Sequence, residues 1–166
     1  DTCTTQSFGI AETRPGRCAR YLSQVLGFCM HFLMALHTGA RFIDDAAAAQ
    51  RPMSAALVAR AIGETRPTAV SLAVVLWQQM ARLLNQQQLD SACLSSLRVA
   101  AWGGAQLSAD VARTLLSHGL PLLVTYGQTE TCGYALVGTL GAAHAHGAMV
   151  PLSSSVSYQL RQHVDD

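Results

Sequence analysis

The chain has 166 residues, half of them hydrophobic and 13% charged, with a formal net charge of +1. That balance describes one folded domain with a sizeable core, not a disordered tail, and it offers no electrostatic case for nucleic acid or an anionic membrane. All 11 basic residues are arginine, so a Walker-type phosphate lysine and a Schiff-base lysine are both excluded within these residues.

Cys3, Cys18, Cys29, Cys93 and Cys132 are scattered, odd in number and never spaced Cys-x-x-Cys. A reduced, intracellular and cytoplasmic protein fits this better than a disulfide scaffold. Residues 25–40 are rich in apolar side chains, but Gly27, His31, His37 and Gly39 interrupt them. The stretch is too short to span a bilayer, so a buried helix is expected and no transmembrane segment. The chain begins at Asp1 rather than methionine, so a preceding segment is expected to be missing.

Residues 1–20 have no period and read as a loop. Residues 22–36 read as a buried helix, Gly39 as a break and residues 40–43 as a short strand. Met53, Leu57, Val58, Ala61 and Ile62 fall at helical spacing, with Pro52 suited to the first turn and Gly63 to the end. Residues 68–74 form a β-branched strand. Leu76, Met80, Leu83 and Leu84 then make a second helical stripe, which belongs in a core, and the glutamines at 86–88 make a polar exit.

Residues 97–101 are the next strand. Ser108 suits a helix N-cap, Asp110 the positive end of the helix dipole, and Val111, Leu115 and Leu116 a core-facing stripe. His118 suits the carboxyl end of that helix, Gly119, Leu120 and Pro121 stop it, and residues 122–125 form a further strand. Strand and helix alternating in this way give an α/β fold, a parallel-rich sheet flanked by helices. The alternation stops after Gly133. Residues 138–147 read as a loop, and residues 155–161 alternate like an antiparallel strand.

Two segments carry the chemistry. Leu97, Arg98, Val99, Ala100, Ala101 and Trp102 run into Gly103, Gly104, Ala105, Gln106 and Leu107; Leu123, Val124 and Thr125 run into Tyr126, Gly127, Gln128, Thr129, Glu130 and Thr131. Each is an apolar strand whose carboxyl end opens into a loop, where open α/β sheets bind ligands. The loops supply close backbone approach, a flat aromatic face, a hydroxyl and a carboxylate, a set suited to a purine, a phosphate and a magnesium ion. Singly, the glycines could be a tight turn and Glu130 a surface acid; the combination favours a nucleotide site. His144 and His146 lack a third ligand and read as a solvated loop. His31 and His37 read as hydrogen-bonded core or boundary residues, and Cys132 as a small packed residue. There is no Gly-x-Ser-x-Gly elbow, so a hydrolase triad has no anchor.

With these residues in hand, the chain resembles the adenylate-forming superfamily: acyl-CoA synthetases, aryl-CoA ligases and the adenylation domains of peptide synthetases. The likeness is densest from residue 97 to 133. It extends more weakly to His37-Thr38-Gly39-Ala40-Arg41, Arg66-Pro67-Thr68 and Gly147-Ala148-Met149-Val150-Pro151. The resemblance implies residues 1–166 as a central piece of the large amino-terminal domain. The lysine-bearing phosphate loop would precede Asp1. The Tyr-x-Thr-Gly-Asp motif and the mobile carboxyl-terminal domain would follow Asp166. A piece lacking these is expected to be inactive alone.

The resemblance further implies that ATP and a small carboxylic acid give an acyl-adenylate, and that a thiol on coenzyme A then takes the acyl group. A carrier-protein phosphopantetheine is the alternative acceptor, and a truncated, non-catalytic nucleotide-binding or interaction relative the alternative of another class. By resemblance, Gly103, Gly104, Ala105 and Gln106 lie along the adenine and Tyr126 stacks on it. Thr129 contacts the α-phosphate and Glu130 holds magnesium. Gly127, Trp102 and Gln24 line the acid pocket. Gln106 and Gln24 depart from the family's usual residues, which are often proline or glutamate at the first and histidine at the second. No aspartate in residues 21–28 is placed to hold a substrate amine, which favours an acid without one.

Overall fold

The computed structural model describes residues 4–7, 33, 36, 37, 41–43, 54–140, 149–155, 157 and 159. Among them, seven strands form one sheet: β1 (Thr4–Ser7), β2 (Arg41–Ile43), β3 (Ala69–Ser71), β4 (Val99–Trp102), β5 (Leu122–Gln128), β6 (Gly133–Thr139) and β7 (Val150–Pro151). Their spatial order is β2-β1-β3-β4-β5-β6-β7. The first five run parallel, while β6 and β7 each pair antiparallel with the strand before. This is the expected α/β fold.

Among the described residues, three helices connect or precede the central strands: α1 (Ala55–Thr65), α2 (Val74–Asn85) and α3 (Ala109–Ser117). Helix α2 carries the chain from β3 to β4 and α3 from β4 to β5, each to the next parallel neighbour. Right-handed crossovers taken in one direction put both helices on the same face of the sheet. The core confirms it. Val70, Ala100, Trp102 and Leu122 of the sheet, and Leu72 just after β3, share one buried cluster with Ile62, Trp77, Met80, Leu84 and Leu115 of the helices. Ile62, Trp77, Met80 and Leu115 are wholly buried, and burial of a side chain of this size contributes about 1.5–3 kcal/mol. Trp77 also donates its indole Nε1 to the Ala101 carbonyl at 3.0 Å, which ties α2 to the centre of the sheet.

Helix boundaries follow from caps. Ser54 accepts from the Leu57 amide and caps α1, which begins at Ala55; Pro52, expected in the first turn, lies outside the described residues. Gly63 does not end α1. It lies within it, where a Cβ would stand 3.3 Å from Cys93 Cβ, and the left-handed residue after the helix is Arg66, with φ of 47°. Ser108 caps α3 through the Val111 amide, as expected, and Asp110 lies in the first turn. His118 is the residue that closes α3, and Gly119 follows with φ of 79°.

Other expectations are corrected. Thr4–Ser7 is a strand inside the segment read as a loop. Strand β3 stops at Ser71 and Val74 already opens α2, so 68–74 is not all strand. Among the described residues the antiparallel strands are β6 and Val150–Pro151; of the expected strand at 155–161, Ser155 lies in a turn, Ser157 and Gln159 are in no strand, and the rest lies outside the described residues. The helix expected at 22–36 lies outside the described residues except for Leu33 and Leu36, both exposed. No helix among the described residues is long and apolar enough to cross a membrane.

Candidate functional site

Strands β4 and β5 lie side by side and parallel, with Ala100, Ala101 and Trp102 opposite Leu122, Leu123 and Val124. Both carboxyl ends therefore open at one edge of the sheet. The chain leaves β4 at Gly103, directly beside Thr125: a Cβ on Gly103 would meet Thr125 Oγ1 at 2.6 Å and the Thr125 carbonyl oxygen at 2.8 Å. Only glycine lets the two strand ends approach this closely. Gly104 has φ of 78° and open space around it, so its requirement is conformational. Gly104, Ala105 and Gln106 are exposed, and Leu107 returns to the core.

The second loop is more tightly built. Tyr126 is 52% exposed at the end of β5. Thr129, Glu130 and Thr131 form a single 3-10 turn. Thr131 holds that turn closed. Its Oγ1 accepts from the Gln128 amide at 3.0 Å and lies 2.9 Å from the Gln128 carbonyl oxygen and 2.8 Å from that of Gly133, either of which takes its single hydrogen. Cys132 follows with φ of 55°, exposed rather than packed. The Thr129 and Glu130 side chains are exposed and make no ion pair among the described residues. The turn thus presents a hydroxyl and a carboxylate outward on a backbone fixed from behind.

A β-bulge shapes what lies beneath. Tyr126 pairs with Leu136 and Gly127 with Tyr134, so Ala135 is the extra residue on β6. Side chains alternate between faces along a strand. Without the bulge, Gly127 would face Ala135 and Tyr134 would turn toward the helices. With it, Tyr134 joins Thr125 and Gly127 on the face turned away from them. Its hydroxyl lies 3.1 Å from Ser71 Oγ on β3, with the Thr125 hydroxyl also close by. Burial raises the Tyr134 phenol above its ordinary value, and the two hydroxyl partners partly offset this.

The expected site residues fall out as follows. Gly103, Gly104, Ala105 and Gln106 lie in the loop after β4 and Thr129 and Glu130 in the turn after β5, while Tyr126 and Gly127 belong to β5 itself, which runs to Gln128 and not only to Thr125; all lie toward this one edge. Trp102 is 3% exposed in the helix-side core, and its Nε1 has no hydrogen-bond partner. Gln24, His31, His144 and His146 lie outside the described residues, and His37 is exposed. No group of three or more His, Cys, Asp or Glu able to hold a metal ion occurs among the described residues; a lone Glu130 oxygen suits a hard cation whose other ligands are phosphate and water. The sequence alone assigns no role to Thr131, although it stands in the second segment, and does not single out Tyr134. A threonine three residues after Gln128 was a usable turn signal, whereas nothing in the local pattern marks Tyr134.

The AMP-binding enzyme family matches residues 12–159. No curated protein matches. Among solved structures, a benzoate CoA ligase from Burkholderia xenovorans LB400 is similar at 20% identity and a TM-score of 0.65, over 85% of this chain and 25% of that one. O-succinylbenzoate coenzyme A synthetase (MenE) from Bacillus subtilis, in complex with ATP and magnesium ion, is similar at 20% identity and a TM-score of 0.59, again over 85% and 25%. The N-terminal domain of FACL13 from Mycobacterium tuberculosis gives 16% identity and a TM-score of 0.62, over 87% of this chain and 31% of that one. At such identities the likeness establishes the fold, and the chain spans about a quarter of the length of the first two. With the family match running over nearly all of its length, the chain belongs to the AMP-binding enzymes.

Proposed function

We propose that this chain contributes the nucleotide-facing sheet edge of an ATP-dependent carboxylic acid–thiol ligase, one that forms an acyl-adenylate and passes the acyl group to coenzyme A. One observation carries the reading. A glycine-lined loop, and a strand end bearing an exposed tyrosine that leads into a turn with an exposed threonine and glutamate, stand side by side at the carboxyl ends of two adjacent parallel strands.

In such a reaction the acid's carboxylate oxygen attacks the α-phosphorus of ATP, the bond from that phosphorus to the bridging oxygen breaks, and pyrophosphate leaves. The attacking oxygen comes from the substrate, so the protein has only to position the reactants and neutralise phosphate charge. The backbone of Gly103, Gly104, Ala105 and Gln106 would lie along the adenine, with the exposed Tyr126 ring stacked on it. Thr129 would hydrogen-bond the α-phosphate. Glu130 would hold magnesium, which when bound supplies charge neutralisation at the phosphates. Gly127, lacking a side chain, leaves room for the acyl group beside Thr129. Thr131 keeps Thr129 and Glu130 in a fixed geometry.

The test is acid-dependent exchange of labelled pyrophosphate into ATP by the full-length protein, with aliphatic, aromatic and amino acids offered singly. Coenzyme A is then added to look for the thioester. Exchange with a carboxylic acid lacking an α-amine, followed by a coenzyme A thioester, is the expected result. Exchange with amino acids alone would replace the reading with that of a carrier-loading adenylation domain.

A further inference from the structure

Among the described residues, Thr125 is the one polar or charged residue buried as deeply as the core, at 3% exposed. Burying a hydroxyl is costly unless it is hydrogen-bonded, and Thr125 Oγ1 donates to the Trp102 carbonyl at 2.9 Å. That carbonyl belongs to the peptide unit that opens the loop at Gly103, and Thr125 is joined directly to Tyr126. The bond therefore ties the exit of β4 to the exposed end of β5, one residue before each. The last paired residues of the two strands are Trp102 and Val124; the Thr125 hydroxyl adds a fastening one step further on.

The spacing at this point depends on which atom stands there. The Thr125 hydroxyl lies against Gly103, where a Cβ would come within 2.6 Å of it. Two oxygens approach to 2.9 Å because a hydrogen lies between them, whereas a carbon keeps about 3.3–3.6 Å from a carbonyl oxygen. Valine, of the same shape, would thus press the Trp102 carbonyl away by about 0.5 Å. Alanine would leave the space unfilled and the bond unmade. Serine would keep both the bond and the distance.

We propose that Thr125 is a positioning residue of the nucleotide site: its hydroxyl sets the gap between the backbone of residues 103–106 and the Tyr126 ring, and through that gap the affinity for adenine. The inference rests on the ATP-binding reading above. Thr125 itself, at 3% exposed, offers almost no surface to a reactant and acts through its two neighbours. A flat base held between a backbone and a ring is sensitive to such spacing, because opening a contact by 0.5–1 Å forfeits roughly a quarter to a half of its dispersion attraction. Thr129 and Glu130 stand on a turn closed by Thr131, so a change at Thr125 reaches ATP binding before it reaches the chemical step.

The experiment is pyrophosphate exchange by the full-length protein and its Thr125→Ser, Thr125→Ala and Thr125→Val variants, with an acid that the wild-type protein accepts. The readouts are the KM for ATP, the KM for the acid and kcat. The KM for ATP should rise about three- to tenfold in Thr125→Ala, the scale of one hydrogen bond, and at least as much in Thr125→Val. It should stay within about twofold of wild type in Thr125→Ser, while kcat and the KM for the acid stay within about threefold in all three. An unchanged KM for ATP in the folded Ala and Val variants overturns the proposal, as does a Ser variant as impaired as Ala. A rise in the KM for the acid alone also overturns it, since the side chain would then line the acid pocket instead. Each of these results leaves the ligase reading in place. Should Thr125→Val fail to fold, the Ala variant decides by the same split. No exchange by the wild-type protein with any acid would overturn the ligase reading and this proposal with it.

Discussion

Gly127 stands against the backbone of Gly133: a Cβ at position 127 would lie 1.9 Å from the Gly133 carbonyl oxygen and 2.9 Å from Tyr134 Cα. The obstacle is main chain on the paired strand, so no rotamer change relieves it. Gly127→Ala must push β5 and β6 apart at the bulge, and overpacking of this kind costs about 1–3 kcal/mol or more. Gly104→Ala meets nothing within 4 Å and carries only the cost of φ at 78°, about 1–2 kcal/mol. Urea unfolding should therefore rank Gly127→Ala below Gly104→Ala and both below wild type. Equal stability of Gly127→Ala and wild type would mean that the two strands are not packed this closely.

Glu130 and Tyr126 separate function from stability. Both are exposed, and exposed substitutions usually change stability by less than about 0.5 kcal/mol. Glu130→Ala should keep the wild-type unfolding midpoint while exchange activity falls by on the order of 10², the scale of losing one charge-stabilising group. Tyr126→Ala should raise the KM for ATP by about ten- to a hundredfold, since stacking of a base on an aromatic ring contributes about 1–3 kcal/mol. Full activity of Glu130→Ala would remove the carboxylate from the site.

The legible part of this fold was the part governed by local pattern. The apolar runs ending at Ala101 and Thr125 announced adjacent parallel strands, the two glycines after Trp102 announced a tight exit, and Ser108 announced a cap. The antiparallel end was obscured by its own composition. Gly133, Ala135 and Gly138 interrupt the alternation of β6, and the bulged residue shifts the period between Leu136 and Tyr134. Tyr134 acquires its place only through that bulge and through Ser71, 63 residues away, a relation no window on the sequence contains. Gly63 misled for a different reason: packing against Cys93 outweighed its intrinsic preference for a helix end.

Stability should fall on the alkaline side. Burial, with a smaller contribution from Asp90, raises the Cys93 thiol above its ordinary 9.0, and burial raises the Tyr134 phenol above its ordinary 10.0. In each case the unfolded chain loses its proton at lower pH than the folded one. The stabilisation from holding these groups neutral is complete below the unfolded values and is lost as pH rises from those values through the folded ones. Melting temperature should be level up to about pH 9 and decline above it. Cys93→Ala should remove the earlier part of the decline and Tyr134→Phe the later part. A melting temperature that is unchanged from pH 9 to 11 would contradict the burial of both groups.

Thr131 offers the sharpest test of how the loop works, because its hydroxyl touches only backbone. It accepts from the Gln128 amide and donates to a carbonyl of Gln128 or Gly133, which closes the turn bearing Thr129 and Glu130. Thr131→Val keeps the shape and removes both bonds; Thr131→Ser keeps the bonds and removes a methyl. A hydrogen bond is worth about 0.5–1.5 kcal/mol net, so Val should lower stability by about 1–2 kcal/mol and Ser by little. The activity should move further than the stability. With the turn loosened, Thr129 and Glu130 lose a geometry that, on the proposed function, must hold to within about 0.5 Å for catalysis, and kcat for exchange should fall at least about tenfold while the KM for ATP, which that proposal assigns to the Tyr126 ring outside the turn, changes little. The Ser variant should restore kcat to within about threefold of wild type. A Val variant with wild-type kcat, or a Ser variant as impaired as Val, would show that the hydroxyl does not position the turn.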